Sequence, residues 1–220
     1  SGEISKRGDE MHRAWSAARA ATLVGGSEPT LRIGAATALA RSNAMAGQAL
    51  ADPDGGAIHI EIEQVARDRS RPRLRLFGTL VHETMLRVRF AATRGEIAQI
   101  VSSVGRMIGA GSDDVEAAIG AVAGALGSAT IRAAAGAAEI RREYPILVTL
   151  DDGVTAEGVA DLAFRAKTEA DGAPRWTIVE FKTDADLSAH LAEYRAQVAI
   201  YLRAIRAATA SPASGVILWI

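Results

Sequence analysis

Two apolar segments of the chain contain charged side chains, which are costly to bury unless they are paired or bound to metal. Asp161 interrupts the segment GVADLAF, and Glu180 and Lys182 lie at the end of WTIVEFK. Because Glu180 and Lys182 are two residues apart, both side chains point to the same face of an extended strand. If the two strands are neighbours, the carboxylates of Asp161 and Glu180 come together, and oxygen ligands of this kind hold Mg²⁺ or Mn²⁺. A salt bridge between Glu180 and Lys182 is the alternative.

Other polar side chains could join such a site. His82 lies on a predicted helix with one apolar stripe, a position that by itself is typical of a structural histidine. Gln197 and Tyr201 are four residues apart on a later helix and share one face, where they could also simply pack against the sheet. Glu143 could approach the same strand ends, although a surface charge or structural ion pair is the favoured interpretation. The remaining histidines show no partner spacing and are expected on the surface: His12, His59 and His190.

Residues 1–76 are predicted to form a connector or helical arm. Helical spacing occurs around Asp9–Ala21 and Ala35–Ala51, and the alternation within Ile58–Val65 predicts a short strand. In the arginine row that follows, every second residue is basic. On an extended segment the row would line one face at intervals of roughly 6.6 Å and could follow a phosphate backbone. A solvated linker, favoured by Pro72, is the alternative. The row comprises Arg67, Arg69, Arg71, Arg73 and Arg75.

Residues 77–220 are predicted to form an α/β domain. Helices come first; one begins after Gly78, with Thr79 as its N-cap, and the last runs from about Ser128 to Ile140. Three strands, a helix and a final strand follow. The order β-β-β-α-β predicts a mixed α/β sheet flanked by helices, with the N-terminal helical arm attached. The predicted strands cover residues 142–150, 155–167, 176–182 and 214–220, and the predicted helix covers residues 187–208.

The composition limits the classes of function. The 220 residues include no cysteine, which excludes disulfides and any zinc ribbon or iron–sulfur cluster held by thiolates. No apolar run approaches the roughly 20 residues of a membrane span, and no signal-peptide segment begins the chain, so we expect a cytoplasmic protein without a membrane partner. The sequence has no G-x-x-x-x-G-K-[ST] phosphate loop and hence no ATP site of that kind. With a net charge of −1, nucleic acid would have to bind a local basic surface.

The motifs together resemble the PD-(D/E)XK nucleases, and among them the RecB-type branch. Asp161, followed nineteen residues later by Glu180-Phe181-Lys182, is similar to the D…(D/E)-x-K arrangement. FGTLVHETM resembles the G-x-x-x-H segment of that branch, and YRAQVAIY resembles its Q-x-x-x-Y helix. GTLVH, EYP, GVADLAF and W-x-IVEFKTD look like the nuclease domain that ends AddA-type helicase–nuclease subunits, in which a UvrD/Rep-like motor precedes the nuclease. Glu180 is a departure, since Asp is commoner there, but the wider motif admits Glu.

The resemblance implies roles for the motif residues. The implied metal ligands are His82, Asp161, Glu180 and the backbone carbonyl of Phe181. The implied catalytic residues are Asp161, Glu180, Lys182, Gln197 and Tyr201. Lys182 would position the attacking hydroxide, Gln197 would steady the DNA strand or the outer shell of the metal, and Tyr201 would do the same or stack on a base. The iron–sulfur cluster of some relatives is excluded, because the chain has no cysteine.

The resemblance also implies a function and partners. We expect residues 77–220 to be a Mg²⁺- or Mn²⁺-dependent deoxyribonuclease domain that cuts single-stranded DNA during helicase-coupled double-strand break processing and recombinational repair. The chain would be the C-terminal piece of a larger helicase or a split homologue, with motor domains of the same parent chain and a second helicase–nuclease subunit as partners. The alternatives are a catalytically silent DNA-binding or scaffolding domain and a free-standing repair endonuclease. The intact acid pair argues against the first, and the lack of a helix-turn-helix or zinc-finger pattern argues against the second.

Overall fold

The structure, a computed structural model, describes residues 2–27, 29–47, 58–66, 75–167 and 174–220. Within these ranges, helices and strands follow in the order α1 (Gly2–Ser27), β1 (Arg32–Ala35), α2 (Ala36–Met45), β2 (Ile60–Gln64), α3 (Arg75–Arg87), α4 (Arg94–Ile108), α5 (Ser112–Leu126), α6 (Ala129–Ala135), β3 (Glu139–Thr149), β4 (Val154–Arg165), β5 (Trp176–Lys182), a short 3₁₀ helix (Ser188–His190), α7 (Leu191–Thr209) and β6 (Ala213–Trp219). The predicted order β-β-β-α-β is confirmed.

The six strands of the described residues form one mixed sheet. β4 pairs antiparallel with β3 along most of its length, and β5, β6 and β2 follow one another as parallel neighbours. On its other edge, β4 pairs in parallel with β1 near its start and antiparallel with β5 near its end. The parallel neighbours β5 and β6 are joined through α7, as a parallel pair requires a crossover connection. The predicted α/β class, a mixed sheet flanked by helices, is therefore confirmed.

Helices cover both faces of the sheet. The first core layer lies between the sheet and α3–α6, where Leu80, Val101 and Val122 are fully buried. The second lies between the sheet and α2 and α7, where Val198 and Leu202 are fully buried. A buried side chain of this size contributes roughly 1.5–3 kcal/mol. The sheet is thus held in place from both sides, and its central strands are fixed relative to α3 and α7.

The residues before residue 77 are more than a helical arm. β1, which the sequence does not predict, and β2, which lies within the predicted strand Ile58–Val65, pair with β4 and β6 respectively. α2 packs on α7 in the second core layer. Strands from both sides of residue 76 therefore share one sheet. The helix predicted at Ala35–Ala51 is α2, which ends at Met45. The one predicted at Asp9–Ala21 lies within α1, whose side chains are exposed from residue 6 onward.

Two predicted helix boundaries are wrong. α3 begins at Arg75, before Gly78, and Thr79 is not its N-cap because the Thr79 hydroxyl donates to the Arg75 carbonyl at 3.2 Å inside the helix. α6 begins after its N-cap Ser128 but ends at Ala135, because the chain enters β3 at Glu139 and pairs there with β4. No single helix among the described residues is long and apolar enough to cross a membrane, although the bent pair α5 and α6 meets that test jointly by length and composition.

Candidate active site

The hairpin β3–β4 is distorted at one level, where Glu143 and Asp161 lie opposite each other. Their neighbours pair in register, Arg142 with Leu162 and Tyr144 with Ala160, but Glu143 and Asp161 do not pair as a ladder. Glu143 has a φ of 49°, in the left-handed region that residues other than glycine adopt uncommonly.

The distortion changes which way both strands face. On β4, Ala160 and Ala163 both belong to the layer of α7, although regular alternation would place them on opposite faces. On β3, Arg142 contacts α3, whereas Tyr144, two residues on, stacks against Trp176 of the other layer. The side chain at position 161 therefore lies where the two layers meet.

Asp161 ends the pairing between β4 and β5. The ladder runs from Arg165–Trp176 to Leu162–Val179, and the next opposed pair would be Asp161 and Glu180. Instead, the Asp161 carboxylate accepts the backbone N–H of Phe181 at 2.7 Å. A side chain thus replaces a strand partner, and two carboxylates meet where the strands separate.

His82 reaches this point from α3. Its Nδ1 lies 3.2 Å from Oδ1 of Asp161, and its ring contacts the edge of the Phe181 ring. Gly78, one helical turn earlier, explains the Gly-x-x-x-His spacing, because a Cβ at Gly78 would lie 2.8 Å from the hydroxyl of Thr183. A glycine here therefore lets α3 lie close to the end of β5 without displacing Thr183.

The charges of the site shift the pKa values of three groups. Burial alone would lower the pKa of His82, but the hydrogen bond and charge of Asp161 outweigh it and raise the pKa. Burial would raise the pKa of Asp161, but His82, a hydrogen bond with Glu180 and the Phe181 N–H lower it well below its usual value. Burial and the charge of Asp161 raise the pKa of Glu180 well above the usual value, against the effect of Lys182. Of the two facing carboxylates, Asp161 is thus held ionised, whereas the ionisation of Glu180 is unfavourable.

Gln197 of α7 connects the remaining motif residues. Its amide nitrogen donates to Oε1 of Glu180 at 2.7 Å and to the Tyr201 hydroxyl at 3.0 Å, and its amide oxygen accepts from Nζ of Lys182 at 3.1 Å. Lys182 also lies 3.8 Å from Oε2 of Glu180. Only a side chain with both a donor and an acceptor can serve a carboxylate and an ammonium together, which accounts for glutamine at this position.

Tyr201 is fully buried next to a glycine of β4. Its hydroxyl would lie 2.8 Å from a Cβ at Gly158, so the glycine leaves room for the ring against the strand. Burial and the charge of Glu180 raise the pKa of Tyr201 to about 12, so the hydroxyl remains protonated. In this structure Tyr201 packs against the sheet and hydrogen-bonds to Gln197, which corresponds to the packing alternative inferred from the sequence.

The structure adds residues that sequence reasoning did not place at the site. Glu143 lies opposite Asp161 with an exposed side chain, and partial desolvation together with the charge of Asp161 raises its pKa. In the sequence, the EYP segment is its signal, and the favoured surface interpretation agrees with its exposure. Tyr194 covers the Lys182 ammonium with its ring at 4.3 Å, and its hydroxyl donates to Asp184 at 2.9 Å. In the sequence, Tyr194 is only the first residue of the YRAQVAIY segment and gives no separate signal.

The arginine row is not brought to the site within the described residues. Arg67, Arg69, Arg71 and Arg73 lie outside them. Arg75 is the exposed first residue of α3 and is helical, so the prediction of a fully extended row is wrong at its last member. The other histidines are exposed, as predicted, at His12, His59 and His190.

The donors at the strand ends fit a hard divalent cation by type. Within the described parts of the chain no three His, Asp or Glu side chains converge as a ready-made metal site, and each donor is hydrogen-bonded to a neighbour instead. The 3.2 Å between Nδ1 of His82 and Oδ1 of Asp161 is close to the roughly 3 Å between adjacent ligands of an octahedral ion with bonds of about 2.1 Å. The Lys182 carbonyl accepts from Ile220, the residue after β6, so by alternation the Phe181 carbonyl points the other way, toward β4. A cation there would also offset the charge of the buried carboxylates.

No protein-family model matches this chain, and no curated protein sequence matches it significantly. The interpretation of the site therefore depends on the side chains of this chain and their geometry.

Proposed function

We propose that the chain is a PD-(D/E)XK-type, metal-dependent DNA nuclease domain. One observation carries the proposal: Asp161 and Glu180 come together where β4 and β5 separate, beside Lys182. The α/β topology supports it, because both strands are central and α7 brings Gln197 against the Glu180 carboxylate. The substrate would be single-stranded DNA and the setting helicase-coupled processing of double-strand breaks.

Asp161 and Glu180, with His82 and the Phe181 carbonyl, would hold Mg²⁺ or Mn²⁺. When bound, the cation supplies positive charge against the scissile phosphate and acidifies a water molecule. The protein's contribution is to fix the donors. The backbone N–H of Phe181 anchors Asp161, and Gln197 anchors Glu180, so neither carboxylate is free to rotate away.

Besides the cation, the Lys182 ammonium would supply positive charge to the reaction. Its ammonium is held by Gln197 and lies near Glu180, with 15% of its side chain exposed. In this position it orients the attacking water and stabilises negative charge that develops on the phosphate. A positioned group of this kind accounts for roughly 10²–10⁴-fold in rate.

The test is degradation of a single-stranded oligonucleotide labelled at its 5′ or 3′ end, with Mg²⁺, Mn²⁺ or EDTA. Wild type is compared with Asp161→Asn and Lys182→Met, which preserve size and remove charge. Two matched controls carry the same changes away from the site: Asp151→Asn, at an exposed carboxylate that pairs with Arg203, and Lys167→Met at an exposed lysine. Isothermal titration calorimetry measures metal binding for each variant.

We expect metal-dependent cutting by the wild type and both controls, and loss of cutting in Asp161→Asn and Lys182→Met. Metal binding should be lost only in Asp161→Asn. Metal binding without cutting by the wild type would favour a site that needs its motor. Neither cutting nor metal binding would contradict the nuclease assignment and favour the scaffolding alternative.

A further inference from the structure

We infer that Tyr194 is a positioning residue for Lys182: its aromatic face fixes the ammonium that the proposed nuclease reaction uses. The inference rests on the proposed function for the role of Lys182. The Lys182 Nζ atom lies 4.3 Å from the centroid of the Tyr194 ring, within the distance at which a cation is attracted to the face of an aromatic ring.

The helix α7 presents Tyr194 and Gln197 to the same point. The two residues are three apart and therefore lie on one face of the helix. Gln197 contacts the ammonium through its amide oxygen at 3.1 Å, and Tyr194 covers it with its ring. A lysine has a long, flexible stem, and a single hydrogen bond leaves it free to swing. Contacts from an amide oxygen and an aromatic face restrict it to one position.

Tyr194 is itself held in place from its other end. Its hydroxyl donates to Oδ2 of Asp184 at 2.9 Å, and the backbone carbonyl of Asp184 accepts from the Trp219 indole at 2.8 Å. Burial and the Asp184 carboxylate raise the pKa of Tyr194 above its usual value, so the hydroxyl keeps its proton and continues to donate. The ring is thus tied to the segment after β5 and, through Asp184, to Trp219 of β6.

A spectroscopic test addresses the contact without depending on activity. The chain has only three lysines, Lys6, Lys167 and Lys182, and the first two are exposed. Lysine-selective ¹³C labelling should give three Cε–Hε signals, and the variant Lys182→Arg identifies the one from Lys182. Ring current should shift this signal upfield of the other two. The shift should persist in Tyr194→Phe and disappear in Tyr194→Leu.

A kinetic test addresses the role. A cation–π contact of roughly 0.5–2 kcal/mol corresponds to about 2- to 30-fold in rate. We therefore expect Tyr194→Leu to lower kcat by about that factor with KM and metal affinity unchanged, and Tyr194→Phe to lie within about threefold of the wild type. Glu193→Gln is the matched control. Glu193 lies next to Tyr194 on α7, and its replacement removes an ion pair with Arg41 of α2 but no contact with Lys182. It should cut at the wild-type rate.

The inference is supported if the upfield signal and the wild-type kcat are both lost in Tyr194→Leu and both retained in Tyr194→Phe. An unshifted Lys182 signal in the wild type overturns it, as does a normal kcat in Tyr194→Leu. Loss of metal binding in Tyr194→Leu also overturns it, because the residue would then support the whole site rather than Lys182. Failure of the proposed function is distinguishable, since in that case the wild type itself does not cut with either metal.

Discussion

Replacing Glu180 by glutamine should stabilise the protein in EDTA and abolish its stabilisation by metal. Glu180 is only 3% exposed, is opposed by the charge of Asp161 and lies 3.8 Å from the ammonium of Lys182. At an effective dielectric constant of about 20, unit charges 4–5 Å apart interact by roughly 3–4 kcal/mol. For Glu180 the repulsion from Asp161 outweighs the attraction of Lys182, and the cost of burying the charge adds to it.

A glutamine at position 180 keeps the hydrogen bonds of the site. Its amide oxygen still accepts from Gln197, and its amide nitrogen can donate to Asp161. We expect the free energy of unfolding to rise by about 1–2 kcal/mol, because a hydrogen-bonded neutral amide avoids the desolvation cost of a buried carboxylate. An unfolding entropy of about 2.1 cal/mol/K per residue over 220 residues is about 0.46 kcal/mol/K, so Tm should rise by roughly 2–4 °C.

The pH dependence provides a second check on the same variant. A carboxyl group whose pKa is raised by folding contributes fully to stability below its unfolded pKa of about 4.3, and this contribution is lost as pH rises through the folded pKa. Folding raises the pKa of Glu180. The difference in Tm between Glu180→Gln and wild type should therefore be small near pH 4 and grow toward pH 8.

Thermal melts followed by circular dichroism measure both effects, in EDTA and with Mn²⁺. Metal at about 100 times its Kd should add roughly 2.7 kcal/mol, or about 6 °C, to the wild type and nothing to Glu180→Gln. Glu63→Gln is the matched control and should lower Tm in EDTA, because the ionised Glu63 carboxylate accepts the backbone N–H groups of Ala129 and Thr130. A lower Tm for Glu180→Gln in EDTA would refute the reasoning about burial. A rise in Tm with Mn²⁺ in Glu180→Gln as large as that of the wild type would refute the assignment of Glu180 as a ligand.

Further predictions concern the residues around the site and the caps. Burial would raise the pKa of Glu63, but its hydrogen bonds to Thr130 and Ala129 lower it. The stability that the ionised Glu63 contributes should be present above its unfolded pKa and lost as pH falls through its folded pKa. Glu63→Gln should therefore lower Tm by about 1–3 °C at pH 7 and hardly at all at pH 3. Glu143→Gly should raise the free energy of unfolding by about 1 kcal/mol in urea titrations, because the φ of 49° suits glycine. Gly158→Ala should lower it by about 1–3 kcal/mol, because the new Cβ meets the Tyr201 ring at 2.9 Å. Gln197→Leu should lower kcat at least tenfold in the oligonucleotide assay, because Glu180 and Lys182 both lose a partner.

The sequence predicts the strand and helix that carry most of the motif. β5 has the predicted bounds, since Trp176–Lys182 is a short run of β-branched and aromatic residues with both faces buried. The spacing of Gln197 and Tyr201 predicts one helical face, and α7 places both against Glu180. Such features depend on local periodicity, which a single sequence contains.

Other features of the site depend on contacts that periodicity does not encode. β1 is only four residues long and has little alternation of its own, so its pairing with β4 determines it. The positive φ of Glu143 occurs at a residue type that gives no turn signal. The contact between Tyr194 and Lys182 requires α7 to lie across the end of β5, which depends on the packing of the second core layer.

The energetically unfavourable features of this structure are concentrated around Asp161 and Glu180, and this concentration supports a functional interpretation. Glu143 adopts an uncommon backbone conformation, Asp161 interrupts the ladder between β4 and β5, and Glu180 is a buried carboxylate opposite a second one. Each feature is unfavourable for a sheet whose only task is to fold, and a valine at position 180 would pack without charge. Unfavourable local features of this kind are typical of functional sites and are tolerated where the surrounding structure fixes them. Here the Phe181 N–H and Gln197 fix the two carboxylates in place. A bound cation would offset their charge, and the arrangement would then stabilise the fold instead of destabilising it.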